Sequence, residues 1–194
     1  MALKPGERKT QILQTLATML EQPQGEKITT AALAAKVGVS EAALYRHFAS
    51  KAQMFEALIE FIEASVFTLV NQIAQSERDG RAQVRQIVSM LLNFAEKNPG
   101  MVRVLIGDAL VNEDPRLQVR INQLVDRVES SLKQALQLVN VASAGAVSVS
   151  TASTAAQANA LTAFVVGRWQ LYAKSGFKRN PSEYVTEQLA LFRL

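Results

Sequence analysis

Between residues 37 and 51 the stretch VGVSEAALYRHFASK brings a hydroxyl, a phenol, a guanidinium, an imidazole and an ammonium together, on Ser40, Tyr45, Arg46, His47 and Lys51. All of these groups donate hydrogen bonds to anionic oxygens and to base edges. Arg46 can fork onto a guanine edge or a phosphate, and Tyr45 and His47 can donate to phosphate oxygens. Ala42 and Ala43 are small enough to let a backbone approach closely, and their methyl groups can pack on thymine. Lys51 and the hydroxyls of Thr29, Thr30 and Ser40 fall at helix starts, where the positive end of the dipole favours phosphate. Catalysis is a poorer reading of the same residues. His47 is the single histidine, the chain has no cysteine, and neither a glycine-rich phosphate loop nor a carboxylate pair suited to acid-base work is evident. Triads and metal sites need more partners than that, so no enzyme activity, cofactor or metal is expected.

The surrounding pattern supplies elements that could hold such a surface. Hydrophobic periodicity is helical almost throughout, which predicts an all-α chain of about nine helices. Ile12, Leu13, Leu16, Met19 and Leu20 mark a first helix that stops at QPQG, residues 22 to 25. Thr29 or Thr30 can cap a short second helix, and Gly38 suits the left-handed residue that ends it. A third short helix follows Ser40, and Ser50 with Gln53 forms a capping-box pattern opening a long fourth. Leu33 and Val37 would pack on Val39, Leu44 and Phe48, which makes a helix-turn-helix whose outer side faces a DNA major groove. The competing reading is a three-helix substructure with a wet polar face. Gly38 at the turn, the amino-terminal position, the basic bias and the long following helix argue against it. Asn98-Pro99, Asp114-Pro115 and Asn180-Pro181 each set a capping side chain before a proline, marking three later helix starts. The one doubtful strand is AVSVS at 146 to 150.

Charge sharpens the division. The chain carries +4 in all, and residues 1 to 51 hold +3 of it. A mildly basic front end on a nearly neutral body suits a polyanion partner. We therefore expect a DNA-binding domain at 1–51 and a helical dimerisation and partner-binding domain at 52–194. The start MALKPGERKTQ lacks a signal-peptide run, pointing to the cytoplasm. Residues 134 to 167 carry no charge, but SAGAVSVSTASTAAQANA in their middle is too polar for hydrocarbon and reads as a loop leading into a helix, so no membrane span is expected there.

ITTAALAAKVGVSEAALYRHFASKAQMFEALIEFIE, residues 28 to 63, resembles the amino-terminal domain of TetR-type regulators. The LIEFIE run, NPGMVRVLIGDALV at 98 to 111, RLQVRINQL at 116 to 124 and KSGFKRNPSE at 174 to 183 narrow the resemblance to the SlmA-type nucleoid occlusion factors. That resemblance implies an all-helical homodimer on palindromic chromosomal DNA, associated with the nucleoid, which when DNA-bound antagonises polymerisation of the tubulin-like division protein FtsZ. The family's partner surface maps onto Phe61, Leu69, Met90, Asn93 and Lys97. Leu69 and Lys97 stand where better-known members carry arginine, and Asn93 replaces a glycine. Without the resemblance, Phe61 reads as core beside Leu58 and Ile62.

Dimerisation has its own argument, because one helix-turn-helix reads few base pairs and two half-sites lie about 34 Å apart on DNA. The expected interface is a hairpin of the last two helices, formed by Leu161, Phe164, Val165, Leu171, Tyr172, Val185, Leu189 and Phe192, with Trp169 either at its edge or in the core. The competing function is a metabolite-responsive TetR-type repressor, whose carboxy-terminal pocket would couple to the DNA-reading heads.

Overall fold

The computed structural model describes residues 5–22, 28–142 and 151–194. The elements are α1 (Pro5–Leu20), α2 (Thr30–Val37), α3 (Glu41–Tyr45), α4 (Lys51–Ser76), α5 (Gly80–Lys97), α6 (Pro99–Leu105), a 3-10 turn (Asp108–Leu110), α7 (Pro115–Ala142), α8 (Thr151–Lys174) and α9 (Val185–Leu191). No strand occurs among the described residues. AVSVS and most of QPQG lie outside them. The uncharged stretch, expected as a loop leading into a helix, is helical up to Ala142 and again from Thr151.

Local chemistry accounts for most of these boundaries. Thr29 caps α2 by accepting from the Ala32 N–H at 3.1 Å, and Gly38 ends it in the left-handed region at φ 78°. Before α4, Ser50 accepts from the Gln53 N–H at 3.2 Å while the Gln53 side chain accepts from the Ala49 N–H at 2.8 Å. This is the expected capping box with its return bond displaced by one residue. Asp114 accepts from the Arg116 N–H at 3.0 Å and opens α7. The other two proline signals act differently. α6 begins at Pro99 as expected, although the Asn98 side chain makes no capping bond, and Asn180-Pro181 begins a turn rather than a helix. The cap of α9 is Tyr184, a non-glycine residue at φ 61°.

The chain divides into two compact units, 1–62 with 98–121, and 63–97 with 122–194. A single cut after residue 51 does not follow this division, because α6 belongs with α1. A Cβ on Gly100 would fall 1.9 Å from the Ala17 carbonyl oxygen, so the backbones of α1 and α6 touch where only glycine fits. The core of this first unit takes Ile12, Leu16, Leu33, Leu44, Phe55 and Leu58. By length and composition alone α4 could cross a membrane, yet one of its faces, from Met54 to Val70, is buried in protein.

The second unit is built around Trp169, which is buried and donates its indole N–H to the Leu91 carbonyl at 3.3 Å. Trp169 is therefore a core residue. The gap beside it, walled by Val128 and Val165, has no room for a water molecule. The segment before α9 is tied down at two points. Glu96 accepts from the Ser182 N–H at 2.9 Å and from its hydroxyl at 2.5 Å, and Arg168 donates to the carbonyls of Asn180, Pro181 and Glu183 at 2.8 to 2.9 Å.

Candidate nucleic-acid interface

Within the first unit α2 and α3 meet at the Gly38 turn. Leu33, Val37, Leu44 and Phe48 are buried there, with Val39 half-buried, as the spacing predicts. Burying these apolar side chains leaves the opposite side of α3 open: Ala42, Tyr45 and Arg46 are exposed, and Ala43 and His47 are half-buried. The helix itself ends at Tyr45. Arg46 is its C-cap residue, and His47 lies in the turn, donating its N–H to the Leu44 carbonyl at 3.0 Å.

Ser40 accepts from the Ala43 N–H at 3.2 Å, which satisfies one orphan donor of α3 and leaves the hydroxyl proton for an outside acceptor. Thr30 and Tyr45 are joined in a chain that sequence reasoning did not foresee. The Tyr45 phenol, 43% exposed, donates to the Thr30 hydroxyl at 3.3 Å, and Thr30 donates to the Glu41 carboxylate at 2.8 Å. Glu41 thus brings a negative charge onto the face expected to meet DNA and holds two of its donors. Its place in the first turn of α3 was the available signal, since a carboxylate there complements the helix dipole.

Lys51 departs from expectation. Its ammonium pairs with the Glu113 carboxylate and lies 5.7 Å from the centroid of the Phe55 ring, with the side chain 21% exposed. A lysine that is covered and charge-neutralised in this way is not extended toward phosphate. Its partner lies too far away in sequence for local spacing to reveal.

Known proteins carry the same pattern. Residues 17–58 match the family described as bacterial regulatory proteins, tetR family, and residues 78–194 match the SlmA-like family described as tetracyclin repressor-like, C-terminal domain. The chain is 49% identical over 192 residues to the nucleoid occlusion factor SlmA of Alteromonas mediterranea, covering 99% of this chain and 97% of that protein. It is 50% identical over 188 residues to SlmA of Marinomonas sp., covering 97% and 94%. The chain belongs to the SlmA family of nucleoid occlusion factors. A TetR-like transcriptional regulator from Rhodococcus sp. RHA1 superposes with a TM-score of 0.74 at 18% identity, covering 97% of this chain and 99% of that one. The PfmR regulator from Thermus thermophilus gives 0.74 at 21%, covering 94% and 97%. At such identities the likeness establishes the fold alone, which is all-helical and TetR-like.

The SlmA resemblance also named a partner surface. Phe61 is 50% exposed, which removes its reading as a core residue. Leu69 is also exposed and lies two helical turns further along α4. On α5, Asn93 and Lys97 are exposed and Met90 is half-buried.

The dimer residues separate into two groups. Leu161, Val165, Tyr172 and Leu189 are buried within their own subunit, so they have no area left for a partner. Phe164, Val185 and Phe192 are half-buried and Leu171 is exposed. The Phe164 and Phe192 rings stack tilted at 5.9 Å. The spacing missed the outer stripe of α8, formed by Ala156, Ala160, Ala163, Gly167 and Leu171, which share one helical face. A Cβ on Gly167 would meet nothing within 4 Å, so a second helix has room to approach closely. Small residues spread around α8 carried too weak an amphipathic signal to show which of its faces lies inward.

Proposed function

We propose that this protein is a cytoplasmic, nucleoid-associated DNA-binding homodimer which, when bound to palindromic chromosomal sites, antagonises FtsZ polymerisation and so keeps the septum off the chromosome. The observation that carries this reading is near-half identity to nucleoid occlusion factors over almost the whole chain, through both the helix-turn-helix and the body. The exposed Tyr45 and Arg46, with the open hydroxyl of Ser40, supply the DNA face. Arg46 reads base edges or phosphate, while Tyr45, His47 and the threonines position the helix. Phe61, Leu69, Met90, Asn93 and Lys97 supply the partner surface. Lys97 keeps a positive charge but not the planar fork of arginine.

The dimer forms through the outer stripe of α8 together with Phe164, Leu171, Val185, Phe192 and Leu191, the last being 84% exposed in the single chain. Near-half identity to nucleoid occlusion factors over almost the whole chain favours the occlusion reading over a metabolite-responsive repressor. Co-sedimentation of FtsZ polymer with the protein, with and without operator DNA, tests this. DNA-dependent loss of polymer supports the reading. A protein that binds its operator, leaves polymer unchanged and releases DNA on adding a metabolite is a repressor instead.

A further inference from the structure

Lys51 and Glu113 are 62 residues apart in sequence and meet inside the unit that carries α3. Lys51 is the first residue of α4, and Glu113 stands in the connection from α6 to α7. Their side chains are 21% and 12% exposed, so both charges have largely left water, and removing either would strand the other. The same connection is braced nearby. Arg103 donates to Asp108 at 2.7 Å and to the carbonyls of Leu20 and Gln22 at 3.5 and 3.3 Å, while Arg120 donates to the Glu56 carbonyl in the second turn of α4 at 3.3 Å. Asn112, beside Glu113, turns the connection at φ 64°, in the left-handed region that asparagine enters more readily than other residues with side chains. Residues 46 to 50 alone join α3 to α4, so the attitude of the first turn of α4 passes directly to the helix that faces DNA.

We propose that the Lys51–Glu113 pair is a positioning strut for the DNA-reading head. It locks the first turn of α4, and α3 with it, against the 106–114 connection. Glu113 therefore tunes operator affinity without touching DNA, and Lys51 acts through Glu113 instead of binding phosphate. The inference rests on the DNA-binding reading above. A phosphate-binding lysine and a strut differ in two measurable ways. Removing a phosphate contact lowers the salt dependence of binding, whereas misplacing the head lowers affinity and leaves the number of displaced counterions unchanged. A strut also works with its charges exchanged. The pair borders an open cleft of about 300 Å³, which gives exchanged side chains room to repack.

The experiment uses the full-length protein and the duplex recovered by selection from a random palindromic library. Dissociation constants are measured across a salt series for wild type, Glu113→Gln, Lys51→Gln and the exchange Lys51→Glu/Glu113→Lys, each confirmed folded by circular dichroism. The strut predicts that each single variant weakens binding roughly 3- to 30-fold with an unchanged salt slope, and that the exchange recovers most of the loss. A slope smaller by about one in Lys51→Gln but not in Glu113→Gln, with no recovery on exchange, makes Lys51 a phosphate ligand and overturns the strut. Single variants that melt earlier but bind as tightly as wild type overturn it too, since the pair then only stabilises the fold. If Glu113→Gln does not fold, the exchange variant decides: recovered affinity upholds the strut, and a folded exchange variant that binds weakly overturns it. Failure of wild type to select any duplex overturns the DNA reading and the strut with it, whereas normal wild-type binding that ignores Glu113 overturns the strut alone.

Discussion

Tyr45 and Arg46 are neighbours in sequence and differ in what they are free to do. Arg46 caps α3 and is exposed, while the Tyr45 phenol already donates to Thr30 and through it meets Glu41. Arg46→Ala should therefore cost about 1 to 3 kcal/mol of operator binding if it reads a base, or lower the salt slope by about one if it binds phosphate. Tyr45→Phe should cost less, because the lost phenol bond is partly internal. A salt-controlled titration of folded, dimeric protein checks both, and an Arg46→Ala variant that binds as wild type removes Arg46 from the interface. At this scale the sequence made the donors legible, since residue type and helical register already said which side chains could face outward. It did not make their partners legible. Glu41 is engaged by a residue eleven positions away and Lys51 by one 62 positions away, and such contacts are set by the fold and not by spacing.

Helices were legible where a terminus had its own chemistry. The Thr29 cap, the left-handed Gly38 and the Ser50 box all appear where residue type placed them. Where an end is set by packing, the sequence pointed to the wrong place: Asn180-Pro181 marked a start for α9, which begins only after Tyr184, in a segment held by Glu96 and Arg168 from other helices. Gly100 is the clearest packing constraint. A Cβ there would strike the Ala17 backbone, so Gly100→Ala should push α6 off α1 and cost about 1 to 3 kcal/mol as overpacking, read as a lower urea midpoint. The start of α7 gives a pH prediction. The Arg116 side chain bonded to Asp114, helped by the Arg116 N–H, holds that carboxyl down from 3.8 to about 2. Because the folded value lies below the unfolded one, the contribution is complete above about pH 4 and is lost as pH falls toward about 2. Asp114→Asn should remove that acid-range dependence and leave stability at neutral pH slightly lower. An unchanged acid titration followed by circular dichroism would discount the pair.

Assembly and division inhibition belong to the whole molecule, and the revised α8 face makes assembly testable. Leu161 and Leu189 are sealed inside the subunit, so a glutamate at either should unfold it, whereas Ala163→Glu on the outer stripe should give a folded monomer by sedimentation that binds operator far more weakly. A dimeric, tightly binding Ala163→Glu protein would place the interface elsewhere. The proposed partner surface lies outside the helix-turn-helix, so its charges can be altered without touching the residues proposed to meet DNA. Lys97→Glu should leave operator affinity nearly intact and weaken the DNA-stimulated effect on FtsZ polymer. If the charge lies on the rim of the contact, the loss should fall mainly on the association rate. The departures from the better-known members give the reverse test. Leu69→Arg with Asn93→Gly restores the side chains those members carry, and it should strengthen the effect on polymer at constant operator affinity. Equal polymer inhibition by wild type, Lys97→Glu and the restored variant would mean that this face of α4 and α5 is not where the division protein docks.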